Sequence, residues 1–180
     1  MKLAFVFLAA LIVTIQCLPA QNSEDVKRSS GRRPLHRYYL SDGSDHFYTT
    51  NAREIGTTVA GRIGRFGYEY EGIAAFVYTS RVANTVPLYR YWNGDIKDHF
   101  YTTDFNELSR GGKGYEYEGI AGYCYEDSLP DVNRPFHRYW NGVDHFYTLS
   151  PSEIGTTTIG ARGKFGYVYE GIACYVSISP

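Results

Sequence analysis

Sulfur and glutamine are scarce in this chain: its 180 residues include one Met, two Gln (Gln16, Gln21) and three Cys. So few cysteines exclude a disulfide-dense mini-scaffold and a multi-cysteine zinc module. An excess of charge is also missing, since 18 Lys and Arg face 19 Asp and Glu for a net charge of −1. With no basic stripe, the electrostatic footprint of a nucleic-acid binder is absent, and nucleic acid is not an expected partner. Beyond Leu3–Ile15 no apolar run approaches spanning length, so membrane insertion is not expected of the mature chain. No Gly-x-Ser-x-Gly elbow, His-Glu-x-x-His or phosphate-cradling loop occurs, and the glycines of Gly64–Gly67 and Gly111–Gly114 precede strands. No enzyme activity, cofactor or metal is expected.

What is abundant is aromatic. Tyr (18) outnumbers Phe (10), with two Trp, and 43% of residues are apolar, enough to bury a core. Met1-Lys2, the apolar run Leu3–Ile15 and Leu18-Pro19-Ala20 have the pattern of a secretory signal peptide over residues 1–20. Secretion to the extracellular space follows as an expectation. Residues 21–33 are polar, lack aromatics and read as a flexible arm or propeptide, with dibasic pairs at Lys27-Arg28 and Arg32-Arg33. Cys17 leaves with the signal. Cys124 and Cys174 remain, either bridged, which closes a loop of about fifty residues, or as two buried thiols.

From Pro34 onward one unit is written three times, over 34–86, 87–134 and 135–180, with opening prolines spaced by 53 and 48 residues. Each copy opens on Pro-x-x-Arg-Tyr-aromatic, continues to Asp-His-Phe-Tyr-Thr (Asp45–Thr49, Asp98–Thr102, Asp144–Thr148) and reaches Gly-Tyr-x-Tyr-Glu-Gly-Ile-Ala (Gly67–Ala74, Gly114–Ala121, Gly166–Ala173). Copies one and three share Glu-Ile-Gly-Thr-Thr, which copy two lacks. Aromatic and β-branched runs separated by Asp-Gly or Asn-Gly predict strands at Leu88–Trp92 and His99–Thr103 and their equivalents. Two further strands, Tyr115–Tyr117 and Ile120–Tyr125, are expected on either side of Glu-Gly. Asn51-x-x-Glu54, Asp104-x-x-Glu107 and Ser150-Pro151-Ser152-Glu153 predict one short helical turn per copy. Four strands in three copies give twelve, which predicts an all-β fold: a β-trefoil, with a β-prism as the alternative.

These units resemble the secreted His-Phe-Tyr-Thr triple-repeat domain, a family of uncharacterised function that occurs alone and beside microbial cell-wall hydrolases. The resemblance covers Pro34–Pro180. It implies a trefoil-type domain that attaches to carbohydrate, and it carries over no catalytic residue.

In every copy an Arg (Arg37, Arg90, Arg138), an Asp-His pair (Asp45-His46, Asp98-His99, Asp144-His145) and a Glu (Glu71, Glu118, Glu170) recur. Strand alternation puts each His on the face of the Tyr two residues on (Tyr48, Tyr101, Tyr147), with Phe on the opposite face. One reading is a ligand site per copy, in which these Tyr or Trp92 and Trp140 stack on a sugar while Arg, Asp and His bond its hydroxyls. The other is structural: Asp caps a turn, and Arg with Glu locks each copy to its neighbour. The expected function is accordingly a lectin-like protein with up to three equivalent sites for extracellular glycans or matrix components. The alternative is a structural matrix, skeletal or mucus protein. Oligomeric state is left open.

Overall fold

The computed structural model describes residues 31–42 and 44–180. The expected signal peptide, and the arm as far as Ser30, lie outside these residues. The second dibasic pair does not belong to the arm, because Arg32 and Arg33 open the first strand and pair with Tyr78 and Val77.

Each repeat forms a three-stranded antiparallel unit. In the first, β1 (Arg32–Leu40) lies between β2 (Asp45–Thr49) and β3 (Glu69–Tyr78). In the second, β4 (Thr85–Asn93) lies between β5 (Asp98–Thr102) and β7 (Tyr115–Tyr125), with the two-residue β6 (Gly111–Gly112) beside β7. In the third, β8 (Arg134–Trp140) lies between β9 (His145–Thr148) and β10 (Val168–Val176). The units join into one antiparallel sheet along the path β2-β1-β3-β7-β10-β8-β9, with β4 and β5 branching from β7. At the junction Tyr123 pairs with Tyr78, Tyr175 with Tyr125, and a single bridge joins Phe76 to Ser177. The last strand of every repeat therefore meets the last strand, or the residue just past it, of both others.

The fold is all-β, but the expected strand count changes. The segments on either side of Glu-Gly form one strand, not two, because Glu-Gly is a bulge within it. Arg37 is opposite Gly72 and Tyr38 opposite Tyr70, which leaves Glu71 as the extra residue; Glu118 and Glu170 occupy the same place in the other repeats. Glycine suits the next position because its φ there is 138°, 127° and 133° in the three copies. The fourth element of each repeat shrinks to β6 or to a single bridge, Ile63–Glu69 or Arg162–Val168. The predicted helical turns are 3₁₀ turns at Phe105–Glu107 and Pro151–Glu153, and a hydrogen-bonded turn over Asn51–Gly56.

Four apolar clusters follow from this plan. The axial core gathers one copy of each repeated position: Leu35, Leu88 and Phe136, then Tyr48, Tyr101 and Tyr147. Each repeat also has a satellite core of its own, such as Tyr38, Phe47, Ile55, Tyr68 and Tyr70 in the first. All five residues of β2 and of β5 are buried, so these strands face apolar surroundings on both sides. Their alternation separates two cores, with Tyr48 in the axial one and Phe47 in the satellite. In the axial core Cys124 and Cys174 form a disulfide with a Cα–Cα distance of 6.2 Å. The bridge links non-equivalent repeat positions, those of Val77 and Ala75 in the first repeat. In the neighbouring pair Gly122 lies so close to Val77 that an added Cβ would meet its Cγ2 at 2.6 Å.

Candidate functional site

The repeated polar residues converge on the three seams between repeats. Each Asp reaches across to the His of the next repeat. Asp45 accepts hydrogen bonds from the His99 backbone N–H (2.7 Å) and Nδ1 (2.6 Å), Asp98 from those of His145 (2.7 and 2.6 Å), and Asp144 from those of His46 (2.8 and 2.6 Å). A tyrosine hydroxyl of the same repeat donates to each carboxylate as well: Tyr68 to Asp45, Tyr115 to Asp98 and Tyr167 to Asp144. Burial, and then the adjacent carboxylate, holds these three phenols far above their ordinary pKa, so they remain donors. The three carboxylates are fully buried and come within 4.8 Å of one another. As the grouping of metal-ligating type among the described residues, they already have His and Tyr donors on their oxygens.

A second ring runs through tyrosines. The Tyr48 hydroxyl donates to the Tyr147 carbonyl (2.7 Å) and accepts from the Tyr147 N–H (2.8 Å). Tyr101 makes the same pair of bonds to Tyr48, and Tyr147 to Tyr101. Each hydroxyl thus stands in for a strand partner, and the rings cross edge to face at 5.4–5.5 Å between centroids. Burial pushes all three phenols well above their usual pKa. At 0–1% exposed, Tyr48, Tyr101 and Tyr147 cannot stack on a ligand. They and the three Asp belong to the scaffold, which corrects the expectation that they contact sugar.

The Arg and Glu residues lie nearer the surface of the same seams. Arg37 pairs through Nε with Glu71 (2.8 Å) and through Nη2 with Glu153 of the third repeat (3.2 Å), while its guanidinium lies over Phe146. Arg90 repeats this with Glu118, Glu54 and Phe47, and Arg138 with Glu170, Glu107 and Phe100. Burial works against the Arg37 charge, but Tyr48, Glu71 and Glu153 outweigh it and hold its pKa above the usual value. Glu54, Glu107 and Glu153 were legible only as capping-turn acids. Thr49, Thr102 and Thr148 bond them and turn them toward the neighbouring Arg, and only the seam reveals that second role.

These groups line a cleft at each seam, and Arg37, Glu71 and Glu153 also border a second cavity of about 300 Å³. The cleft between repeats one and three is the largest, about 410 Å³, and includes Arg37, Tyr39, His46, Glu71, Glu153 and Phe165. The cleft between repeats two and one, about 150 Å³, has Arg90, His99, Glu118, Glu54 and Phe66. The cleft between repeats three and two, about 140 Å³, has His145, Glu170, Glu107 and Lys113. At each seam a half-buried aromatic covers the histidine: Tyr39 on His46, Trp92 on His99 and Trp140 on His145, with centroids at 4.7, 4.4 and 4.2 Å. Of the expected site residues, the seams therefore bring together Arg37, Arg90, Arg138, His46, His99, His145, Trp92 and Trp140. The mouths also present a position not foreseen, that of Phe66, Lys113 and Phe165.

A family model described as a domain of unknown function (DUF5648) matches residues 34–177, which span all three repeats. The chain belongs to this family. No curated protein and no solved structure matches it. Membership covers the seams and their clefts in full, while the family's description leaves their use open.

Proposed function

We propose that this is a secreted, non-enzymatic carbohydrate-binding protein whose sites are the seam clefts, and that its three-repeat domain is a variant of the trefoil plan. The observation that carries the binding reading is an Arg held between two Glu at each seam, one from its own repeat and one from the preceding repeat of the ring, beside aromatic rings. Fixed donors and acceptors next to an aromatic surface suit the vicinal hydroxyls and the C–H face of a pyranose. Hydrolysis fits poorly. It requires two carboxyl groups in contrasting environments, and here both carboxylates of a seam pair with the same guanidinium. Repetition instead favours a polymeric target, on which modest sites gain by linkage. Three repeats with short fourth elements support a trefoil plan over a prism. Secretion rests on residues 1–20, outside the described residues.

A structural matrix role is the second reading. It is favoured by the Asp–His and Tyr rings, which are wholly used in joining repeats. A glycan array probed with the mature chain separates the two. Binding that is weakened by Arg37→Ala, with an unchanged circular dichroism spectrum, supports the first reading. A folded domain that captures no glycan, even when multimerised, supports the second.

A further inference from the structure

Phe66, Lys113 and Phe165 are the same repeat position, each followed by glycine at the mouth of one cleft. All three have left-handed backbone, with φ of 60°, 54° and 55°. An aromatic residue gains nothing from that conformation, which costs a non-glycine side chain about 1–2 kcal/mol. Nor does the fold demand Phe, because Lys113 has the same geometry. Burial does not explain the choice either, since Phe66 and Phe165 are 78% and 80% exposed.

The segments that present these rings are pinned. The Lys164 N–H bonds the Ile154 carbonyl and the Gly163 N–H bonds the Tyr167 carbonyl, both at 2.8 Å, and Arg65 and Gly64 repeat these bonds to Ile55 and Tyr68. Only glycine fits at 64 and 163, where an added Cβ would lie 2.4 Å from the Ile55 or Ile154 carbonyl oxygen. An exposed ring on anchored backbone, at the lip of a cleft with a charged floor, is a preorganised stacking surface. The third cleft has a flexible ammonium in that place.

We propose that the protein is bivalent: the clefts bearing Phe165 and Phe66 each hold a neutral pyranose stacked on the phenyl ring, and the cleft bearing Lys113 holds none. This rests on the carbohydrate reading and replaces three equivalent sites with two. A neutral sugar is indicated because stacking needs an apolar C–H face, and each floor sets two carboxylates, Glu71 and Glu153 or Glu118 and Glu54, against one guanidinium, a net negative surface that disfavours an acidic sugar. The larger cleft, at Phe165, takes the longer oligosaccharide.

The test is titration calorimetry and native mass spectrometry of the mature chain with neutral tetrasaccharides of β-linked glucose and N-acetylglucosamine. Vesicles of phosphatidylcholine and phosphatidylserine form a second arm. Two saccharides per chain are expected, one in Phe165→Lys or in Phe66→Lys, and at least about tenfold weaker binding in the double variant. Lys113→Ala should be unchanged. Because both rings are exposed, each variant should melt with the wild type. Three bound saccharides, or binding that survives the double variant, overturns bivalency and leaves the carbohydrate reading standing. No saccharide bound by the folded wild type overturns both. Phe-dependent capture on vesicles without saccharide binding assigns the rings to a membrane surface and also overturns the proposal.

Discussion

Between Thr102 and Gly114 the middle repeat is six residues shorter than the first and third are between Thr49 and Gly67 or Thr148 and Gly166. The consequences are local. The short form leaves Tyr115 and Tyr117 half-buried around Tyr91, Phe100 and Leu108, whereas the long form buries Tyr68 and Tyr70, or Tyr167 and Tyr169. It also substitutes Lys113 for a lip phenylalanine, and Tyr89 stands where His36 and His137 are buried. None of these changes alters the bonds that join the repeats. The Asp–His bonds, the Tyr ring and the Arg between two Glu have the same partners in all three. Residues present three times join the repeats; residues present twice shape the surface.

The comparison can be tested by removing its parts in turn. The largest effect is expected at the one place where the axis is covalently asymmetric. Replacing Cys124 with Val and Cys174 with Ala restores the side chains of Val77 and Ala75, so packing is retained and the loop constraint is lost. With a sequence separation of 50, unfolding in urea should show a loss of about 4 kcal/mol. Next is Tyr101→Phe, which leaves the buried N–H and C=O of Tyr48 without the hydroxyl that served both. A loss of about 2–4 kcal/mol is expected from two stranded backbone groups, with Tyr89→Phe on the half-exposed edge as an almost neutral control.

The smallest effect distinguishes the long repeats from the short one by pH. Burial lowers the pKa of His36 and His137 from 6.5. Their folded pKa lies below the unfolded value, so the unfolded chain binds more protons. Stability is therefore full above about pH 6.5 and falls as pH drops through the folded pKa. Melting curves from pH 8 to 5 should show this decline. His36→Tyr with His137→Tyr, which copies Tyr89, should flatten it; an unchanged slope would place the titration elsewhere.

Much of the domain was legible beforehand for a physical reason. Tandem copies align strand, turn and strand, so Asn93-Gly94 and the Asp-His-Phe-Tyr-Thr runs mark hairpins without help from tertiary contacts. The Glu-Gly pair was misread as a break because a bulge and a turn both require positive φ, and only the register across to Arg37 distinguishes them. Tyr48 was misread because period-2 alternation tells which residues share a face but not that both faces are covered. Glu54, Glu107 and Glu153 satisfy a local capping pattern, and nothing local shows that the next repeat supplies their Arg. Repetition itself was open to two readings, three ligand sites or a lock between copies, because a closed ring must also repeat whatever closes it.

The central claim is that the threefold Asp, His and Tyr join the repeats, whereas the twofold phenylalanines decide which clefts bind. Asp98→Asn and Phe165→Lys test it most directly when measured side by side for urea unfolding and for tetrasaccharide binding. Asp98 is fully buried and lies beneath the cleft that has Lys113, whereas Phe165 is 80% exposed. Asp98→Asn should lose about 3–5 kcal/mol of stability, and its folded fraction should still bind two saccharides. Phe165→Lys should unfold within about 0.5 kcal/mol of the wild type and bind one. The opposite pattern, a stable Asp98→Asn that no longer binds and a Phe165→Lys that unfolds, would contradict the account.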